Sequence, residues 1–298
     1  MGCPRVNSVA ILGLGLMGGS LGLALKRAIP GLVVHGHTRS AERGRCAVER
    51  GAVDHFHADA AASVADAEVV VLCAPILAIP AQLASVRDAL KNGAVVTDVG
   101  STKTEIQRQC RDLLAGRSAV FVGSHPIAGS EQQGMEAAKV DLYRKAMVVI
   151  TPDPGTPRAA VATVESLWKL AGAVVSTMSP EDHDRILALT SHVPHIMASL
   201  LAATVGRPGL TPDLPAYCGS GYRDTTRIAE GGVDIWLDIL RTNRGPIAGE
   251  LKVLRQKLDA LIEQLEQNDI SAIERALSDG KNARKAFTAY GHQHNSEE

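Results

Sequence analysis

The stretch VAILGLGLMGGSLGLALKR, Val9 to Arg27, decides the fold. A short apolar run leads into Gly13-x-Gly15-x-x-Gly18, and a helix-type segment ending in Lys26 and Arg27 follows. Alone, three glycines at this spacing are a weak signal; between a strand and a helix they mark a dinucleotide site. The first permits a tight turn, the second lets a pyrophosphate approach the backbone, and the third allows close helix–strand packing. The helix opening at Gly15, Leu16, Met17 and Gly18 then offers free N–H groups and a positive dipole end to the phosphates. Glycines used only for turning are the competing reading, and the strand–loop–helix context weighs against it.

The end of the next strand is the second checkpoint. NAD sites carry Asp or Glu there for the ribose 2′-hydroxyl. This chain reads HGHTRS, with Thr38, Arg39 and Ser40 and no acid. Arg39 stands 21 positions after Gly18, and a guanidinium flanked by hydroxyls suits a 2′-phosphate. NADP is therefore favoured, with NAD still compatible.

Farther along, AEVVVLCAP, AVVTDVGS, SAVFVGSHP and KAMVVITP are β-type runs ending in Gly, Pro, Ser or Asp. Helix-type stretches such as SAERGRCAVERG and IPAQLASVRDAL separate them. Such alternation implies an α/β fold with a parallel, doubly wound sheet. GAVVSTM reads as the last strand. At Ser179 the texture changes: Ser179 is a helix cap, Pro180 takes the first position, and Glu181 and Asp182 fill the first turn. No clear strand follows. The expected organisation is a Rossmann-type dinucleotide-binding domain over residues 1–178 and an all-α domain over 179–298. In the latter, Ile247, Leu251, Leu254, Leu258, Leu261 and Leu265 form an a/d seam under three heptads long. It faces its own domain core or packs across a homodimer.

The 298 residues suit one large or two ordinary domains, and 45% hydrophobic content suffices for a core. Aromatic content of 3% argues against a stacking surface for single-stranded nucleic acid. A net charge of −1 projects no field toward DNA or an anionic membrane. Cys3, Cys46, Cys73, Cys110 and Cys218 contain no C-x-x-C pair and read as reduced thiols of a cytoplasmic protein. The sequence shows no signal peptide and no 18-residue apolar run, so no membrane span is expected. His292 and His294 read as part of a solvated terminus, and no metal site is expected.

Two strand ends and two helical stretches carry reactive side chains. TDVGSTK offers Asp98, Ser101 and Lys103; GSHPIAGSEQQG offers Ser124, His125, Ser130, Glu131 and Gln132. His125 is the candidate general base, because an imidazole titrates near neutrality and this one sits at a strand end among polar groups. His192 and His195 share a helix face at i, i+3, which allows substrate contact, a core pair or a metal; no third ligand is evident. Asp182-His183-Asp184 reads as the start of a helix. Arg223 and Arg227, at i, i+4, are candidate carboxylate partners or surface ion pairs with Asp224 or Glu230; Arg227 ranks first.

Together GLGLMGGSL, TDVGSTK, GSHPIAGSEQQG, SHVPHIMA and GYRDTTRIA resemble the TyrA family of prephenate and arogenate dehydrogenases. The resemblance covers nearly the whole chain. It implies an oxidative decarboxylation in tyrosine biosynthesis by a homodimer joined through the helical domain. It implies that His125 accepts the proton of the ring 4-hydroxyl while hydride leaves for the nicotinamide, and that Ser101 bonds the same hydroxyl and orients His125. Arg227 would hold the ring carboxylate, His195 and His192 would line the pocket, and Ser130, Glu131 and Gln132 would approach the substrate side chain. Trp236 would close the pocket from the other subunit. No room for a fused regulatory domain is expected, so feedback by tyrosine would act at the active site. Prephenate is placed slightly ahead of arogenate; Glu131 near an ammonium would favour the latter.

Two rivals stand beside this reading. A β-hydroxyacid dehydrogenase shares GLGLMG but needs a lysine on a helix of the second domain, and the first lysine after Ser179 is Lys252. A non-catalytic dinucleotide sensor would need no base and no carboxylate clamp.

Overall fold

The computed structural model describes residues 6–129, 132–207, 209 and 213–296, with side chains through residue 288. The first half alternates as follows: β1 (Ser8–Leu12), α1 (Leu16–Ala28), β2 (Val33–His37), α2 (Ala41–Glu49), β3 (His55–His57), α3 (Ala60–Val64), β4 (Val69–Leu72), α4 (Ile79–Val86), β5 (Val95–Asp98), α5 (Thr104–Leu113) and β6 (Val120–Phe121). These strands form one parallel sheet in the order β3-β2-β1-β4-β5-β6. The order reverses between β1 and β4, and that crevice is where open α/β sheets bind their ligands. β1 (SVAIL) is apolar and buried beyond its first residue and β4 (VVVL) is apolar and buried throughout, as strands covered on both faces must be.

The run SAVFVGSHP does not form one strand. It breaks at Val122 into β6 and β7 (Gly123–Pro126). β7 pairs antiparallel with β8 (Met147–Thr151), and β8 pairs parallel with β9 (Val174–Thr177), giving a second, three-stranded sheet. α6 (Arg158–Leu170) connects β8 to β9. Buried Leu14, Leu21, Val34, Val71, Val122, Ile150, Leu167 and Trp168 belong to one core cluster that serves both sheets. β3 carries no β-type run of its own in the sequence; its three residues add to β2 as an edge.

Among the described residues no strand follows Thr177. α7 (Pro180–Leu187) starts as its sequence dictates: Ser179 Oγ accepts from Asp182 N at 3.0 Å, and Pro180 occupies the first turn. A π-turn, Ala188–His192, joins α7 to α8 (Val193–Val205). The whole run Pro180–Val205 is long and apolar enough, by length and composition alone, to cross a membrane. Its His183, Asp184, His192 and His195 are nevertheless buried in the protein. α9 (Ser220–Thr226), a 3-10 turn at Arg227–Glu230, α10 (Val233–Thr242), α11 (Arg244–Glu266) and α12 (Ile270–Ser296) complete the chain.

Two compact units result, Met1–Ile247 and Ala248–Glu298. Residues 179–247 thus pack with the nucleotide-binding part. The second unit holds most of α11 and α12, with Leu258, Ile262, Leu265, Leu277 and Phe287 exposed.

Candidate active site

The glycine loop has the geometry its spacing demands. Gly13 has φ +111°, and a Cβ there would run into the Cys73 carbonyl oxygen. A Cβ on Gly18 would strike the Gly13 carbonyl and lie 2.8 Å from Ile11 Cγ2. Gly15 faces open space. It is also the N-cap of α1, and among the described residues no side chain caps the N–H groups of that first turn, which holds no acid. Beside them lies a cleft of about 1040 Å³ lined by Gly13, Gly15, Thr38, Arg39, Ser40 and Arg43, with Cys73 across from them. Open backbone donors, no Cβ at Gly15 and a cleft of this size fit a dinucleotide. Leu16 and Met17 form the first helical turn; they supply backbone rather than cleft lining. Ser40 Oγ already caps α2, accepting from Arg43 N at 3.3 Å. Arg39 and Arg43 are exposed and have no carboxylate partner among the described residues.

The catalytic candidates converge from elements far apart in sequence. His125 Nδ1 lies 2.8 Å from His183 Nε2, and His183 Nδ1 lies 2.8 Å from Asp184 Oδ1. A carboxylate only accepts, so His183 donates from Nδ1. Its Nε2 then accepts from His125 Nδ1–H, which leaves the lone pair of His125 on Nε2. The Asp184 carboxylate is itself held by the backbone N–H groups of Lys103 at 2.8 Å and Thr104 at 2.9 Å. Burial opposes its ionisation, but the hydrogen bonds from His183, Thr104 and Lys103 prevail and hold it below the usual carboxylate range. Burial, reinforced by His183, Lys103 and His192, pushes His125 well below the ordinary imidazole range. It is therefore neutral and able to accept a proton.

A second network fixes the strand beneath His125. Lys103 and Asp98 form a fully buried ion pair. Lys103 Nζ also donates to the Ser124 carbonyl at 2.9 Å, and Ser124 N donates to Asp98 Oδ1 at 3.1 Å. Ser124 Oγ donates to the Asp98 carbonyl at 2.6 Å and accepts from Trp168 Nε1 at 2.9 Å.

Ser101 follows β5, half-buried, and makes no side-chain hydrogen bond among the described residues. No side-chain hydrogen bond joins Ser101 to His125 among the described residues; the ring that orients His125 at Nδ1 is that of His183, in the first turn of α7. His192 Nδ1 sits 3.1 Å from Asn243 Nδ2, which donates to the Asp184 carbonyl at 2.7 Å. Burial drives His192 down to about 4. His195 stacks on Trp236 with ring centroids 3.5 Å apart and planes 11° from parallel. Trp236, expected to reach the pocket from another subunit, thus lies against a histidine of its own chain, because α10 follows a turn that packs on α8. A Cβ on Gly231 would stand 2.8 Å from Trp236 Nε1 and 3.1 Å from His195 Cε1, so glycine permits that approach.

Arg223 is committed: its Nε donates to the Cys218 carbonyl at 3.2 Å. Arg227 is exposed and has no partner among the described residues; neither arginine pairs with Asp224 or Glu230. Gln132 is exposed, and Ser130 and Glu131 lie outside the described residues. Among the described residues no group of side chains is arranged to hold a metal ion. The sequence reading missed His183, Asp184 and Asn243. The first two were hidden by their plain role as a helix start; His183 beside Asp184 in a cap otherwise complete was the available signal.

A glycine-cradled dinucleotide seat at a sheet reversal, with an oriented neutral histidine, defines a nicotinamide-dependent dehydrogenase. The family descriptions "Prephenate dehydrogenase, nucleotide-binding domain" and "Prephenate dehydrogenase, dimerization domain" match residues 21–177 and 179–279. The chain is 33% identical over 282 residues to prephenate dehydrogenase of Bacillus subtilis, covering 93% of this chain and 75% of the relative. It is 35% identical to cyclohexadienyl dehydrogenase of Zymomonas mobilis over 79% of this chain and 80% of the relative. The crystal structure of Aquifex aeolicus prephenate dehydrogenase with hydroxyphenyl propionate and NAD+ superposes with a TM-score of 0.88 at 31% identity, covering 96% of this chain and 100% of that one. The chain belongs to the prephenate dehydrogenase family.

Proposed function

We propose that the enzyme oxidatively decarboxylates prephenate, and arogenate as a second substrate, toward tyrosine, with NADP preferred over NAD. The observation that carries the reading is the hydrogen-bond chain Asp184–His183–His125, which leaves Nε2 of a neutral His125 as the proton acceptor. A bound nicotinamide supplies the hydride acceptor. His125 Nε2 takes the proton of the ring 4-hydroxyl as hydride leaves the same carbon, and Ser101 holds that hydroxyl. The uncommitted guanidinium of Arg227 binds the ring carboxylate, which departs as CO2 as the ring becomes aromatic. His195 on its Trp236 platform, His192, Ser130, Glu131 and Gln132 line the rest of the pocket.

The NADP preference rests on Arg39, which follows β2 where an acid would serve NAD and which, like Arg43, has no carboxylate partner among the described residues, although Glu42 and Glu136 line the same cleft. Thr38 and Ser40 flank Arg39. The part from residue 179 to 298 serves as substrate and dimerisation domain, with the half-exposed seam of α11 as the contact with a second copy. The free thiols of Cys46, Cys73, Cys110 and Cys218 support a cytoplasmic setting.

The test is the appearance of reduced nicotinamide with prephenate and arogenate, each offered with NAD and with NADP. Turnover is expected in both NADP reactions, faster with prephenate. Equal rates with NAD would overturn the cofactor preference, and no turnover in any pairing would overturn the reaction.

A further inference from the structure

The segment between β7 and β8 grips the dinucleotide helix at three successive places. Tyr143 Oη donates to the Met17 carbonyl at 2.7 Å, in the first turn of α1. The Met135 side chain fills the space that a Cβ on Gly19 would need. Ser20 Oγ accepts from Lys139 N at 2.9 Å. Arg50 braces the segment from behind, donating to the carbonyls of Met135 and, at 2.9 Å, Ala138.

The other side of Tyr143 points toward the catalytic strand. Its buried ring meets Trp168 edge-on, with centroids 5.1 Å apart and planes at 65°. Trp168 Nε1 donates to Ser124 Oγ, the residue before His125. A short chain of buried contacts therefore joins the first turn of α1, where phosphates bind, to the backbone that carries the proton acceptor. Tyr143 has no freedom to make this link elsewhere: a buried hydroxyl must keep its acceptor.

We propose that Tyr143, acting through Trp168 and Ser124, is a positioning residue that sets the distance between the seated dinucleotide and His125. Hydride transfer is sensitive to displacements of this kind, since reacting atoms must approach to near-contact and small misplacements are costly. The inference rests on His125 as the base.

Tyr143→Phe keeps the ring packing and deletes only the hydroxyl. We expect kcat to fall about tenfold, with prephenate KM and dinucleotide affinity changed less than about twofold. The isotope effect with prephenate deuterated at C4 should rise, because hydride transfer becomes the slow step. Trp168→Phe, which removes the donor to Ser124, should raise the same isotope effect. An unchanged kcat, a fall explained by loss of folded protein, or a slower enzyme with an unaltered isotope effect would overturn the proposal. His125→Asn is run alongside: full turnover in that variant sinks the base assignment, whereas the isotope effects judge Tyr143 separately.

Discussion

The dinucleotide seat and the catalytic cluster are built by opposite means. The seat uses backbone: Gly13 turns, Gly15 leaves space, Gly18 allows contact, and all lie within one short loop. The cluster uses side chains from β5, the β5–α5 loop, β7, α6, α7, the π-turn and the stretch after α10, bonded to one another in the protein's interior. A local backbone device tolerates change around it and fails when one glycine gains a methyl group. A dispersed network tolerates no break in its chain of partners, but no single stretch of sequence announces it.

The largest effect should come from breaking the cluster at its end. His125→Asn is expected to lower kcat by about two to four orders of magnitude, with dinucleotide binding intact in a direct titration. One step back, Asp184→Asn removes the acceptor that sets the His183 tautomer. It should lower kcat about a hundredfold and leave dinucleotide affinity unchanged; a change in affinity instead would mean that cluster and seat are not separable.

On the seat, Gly18→Ala meets the Gly13 carbonyl and should destabilise the fold by about 1–3 kcal/mol in denaturant unfolding. Gly15→Ala meets nothing in the protein and should leave stability alone while weakening the dinucleotide. Equal stability losses would erase the distinction between the two glycines. Arg39→Ala should raise the KM for NADP about tenfold, equivalent to about 1.4 kcal/mol, and leave that for NAD unmoved.

A further effect is one of pH. Burial lowers His125, His183, His192 and His35, so the unfolded chain binds more protons than the folded one. Their contribution is complete above the ordinary imidazole value of 6.5 and is lost as pH falls below it, for His192 down to about 4. At pH 5, His192 alone would cost on the order of 2 kcal/mol. Thermal melts should therefore shift down by several degrees between pH 8 and pH 5.

This contrast also explains what is legible in the sequence. Strand periodicity, the glycine spacing and the Ser179-Pro180 cap are local properties, and each has its consequence within a few residues. The break at Val122 is not local. Val120 and Phe121 extend the first sheet while Ser124 and His125 pair with Ile150 and Val149, and the run is buried on both sides of the break, so no change of pattern marks it. His125 was legible as a polar residue at a strand end. Its partner was not, because the link to His183 spans 58 positions and His183 has a sufficient local reason to be where it is. The role of Ser101 toward His125 is likewise not readable from spacing: the two stand 24 positions apart in separate motifs, and the resemblance alone implies the link.

The π-turn at Ala188–His192 carries a consequence for how this chain can vary. A π-turn holds one residue more than the ordinary pitch requires. It lies between His183 and Asp184 on one side and His195 on the other, and Leu189 and Thr190 within it are exposed. Most substitutions at those two positions should be silent. Loss of a single residue would relax the turn to ordinary helix and swing one set of histidines away from the other by about 100°. Selection on this segment therefore acts on its count of residues, and descendants of this gene are free to respell it but not to shorten it.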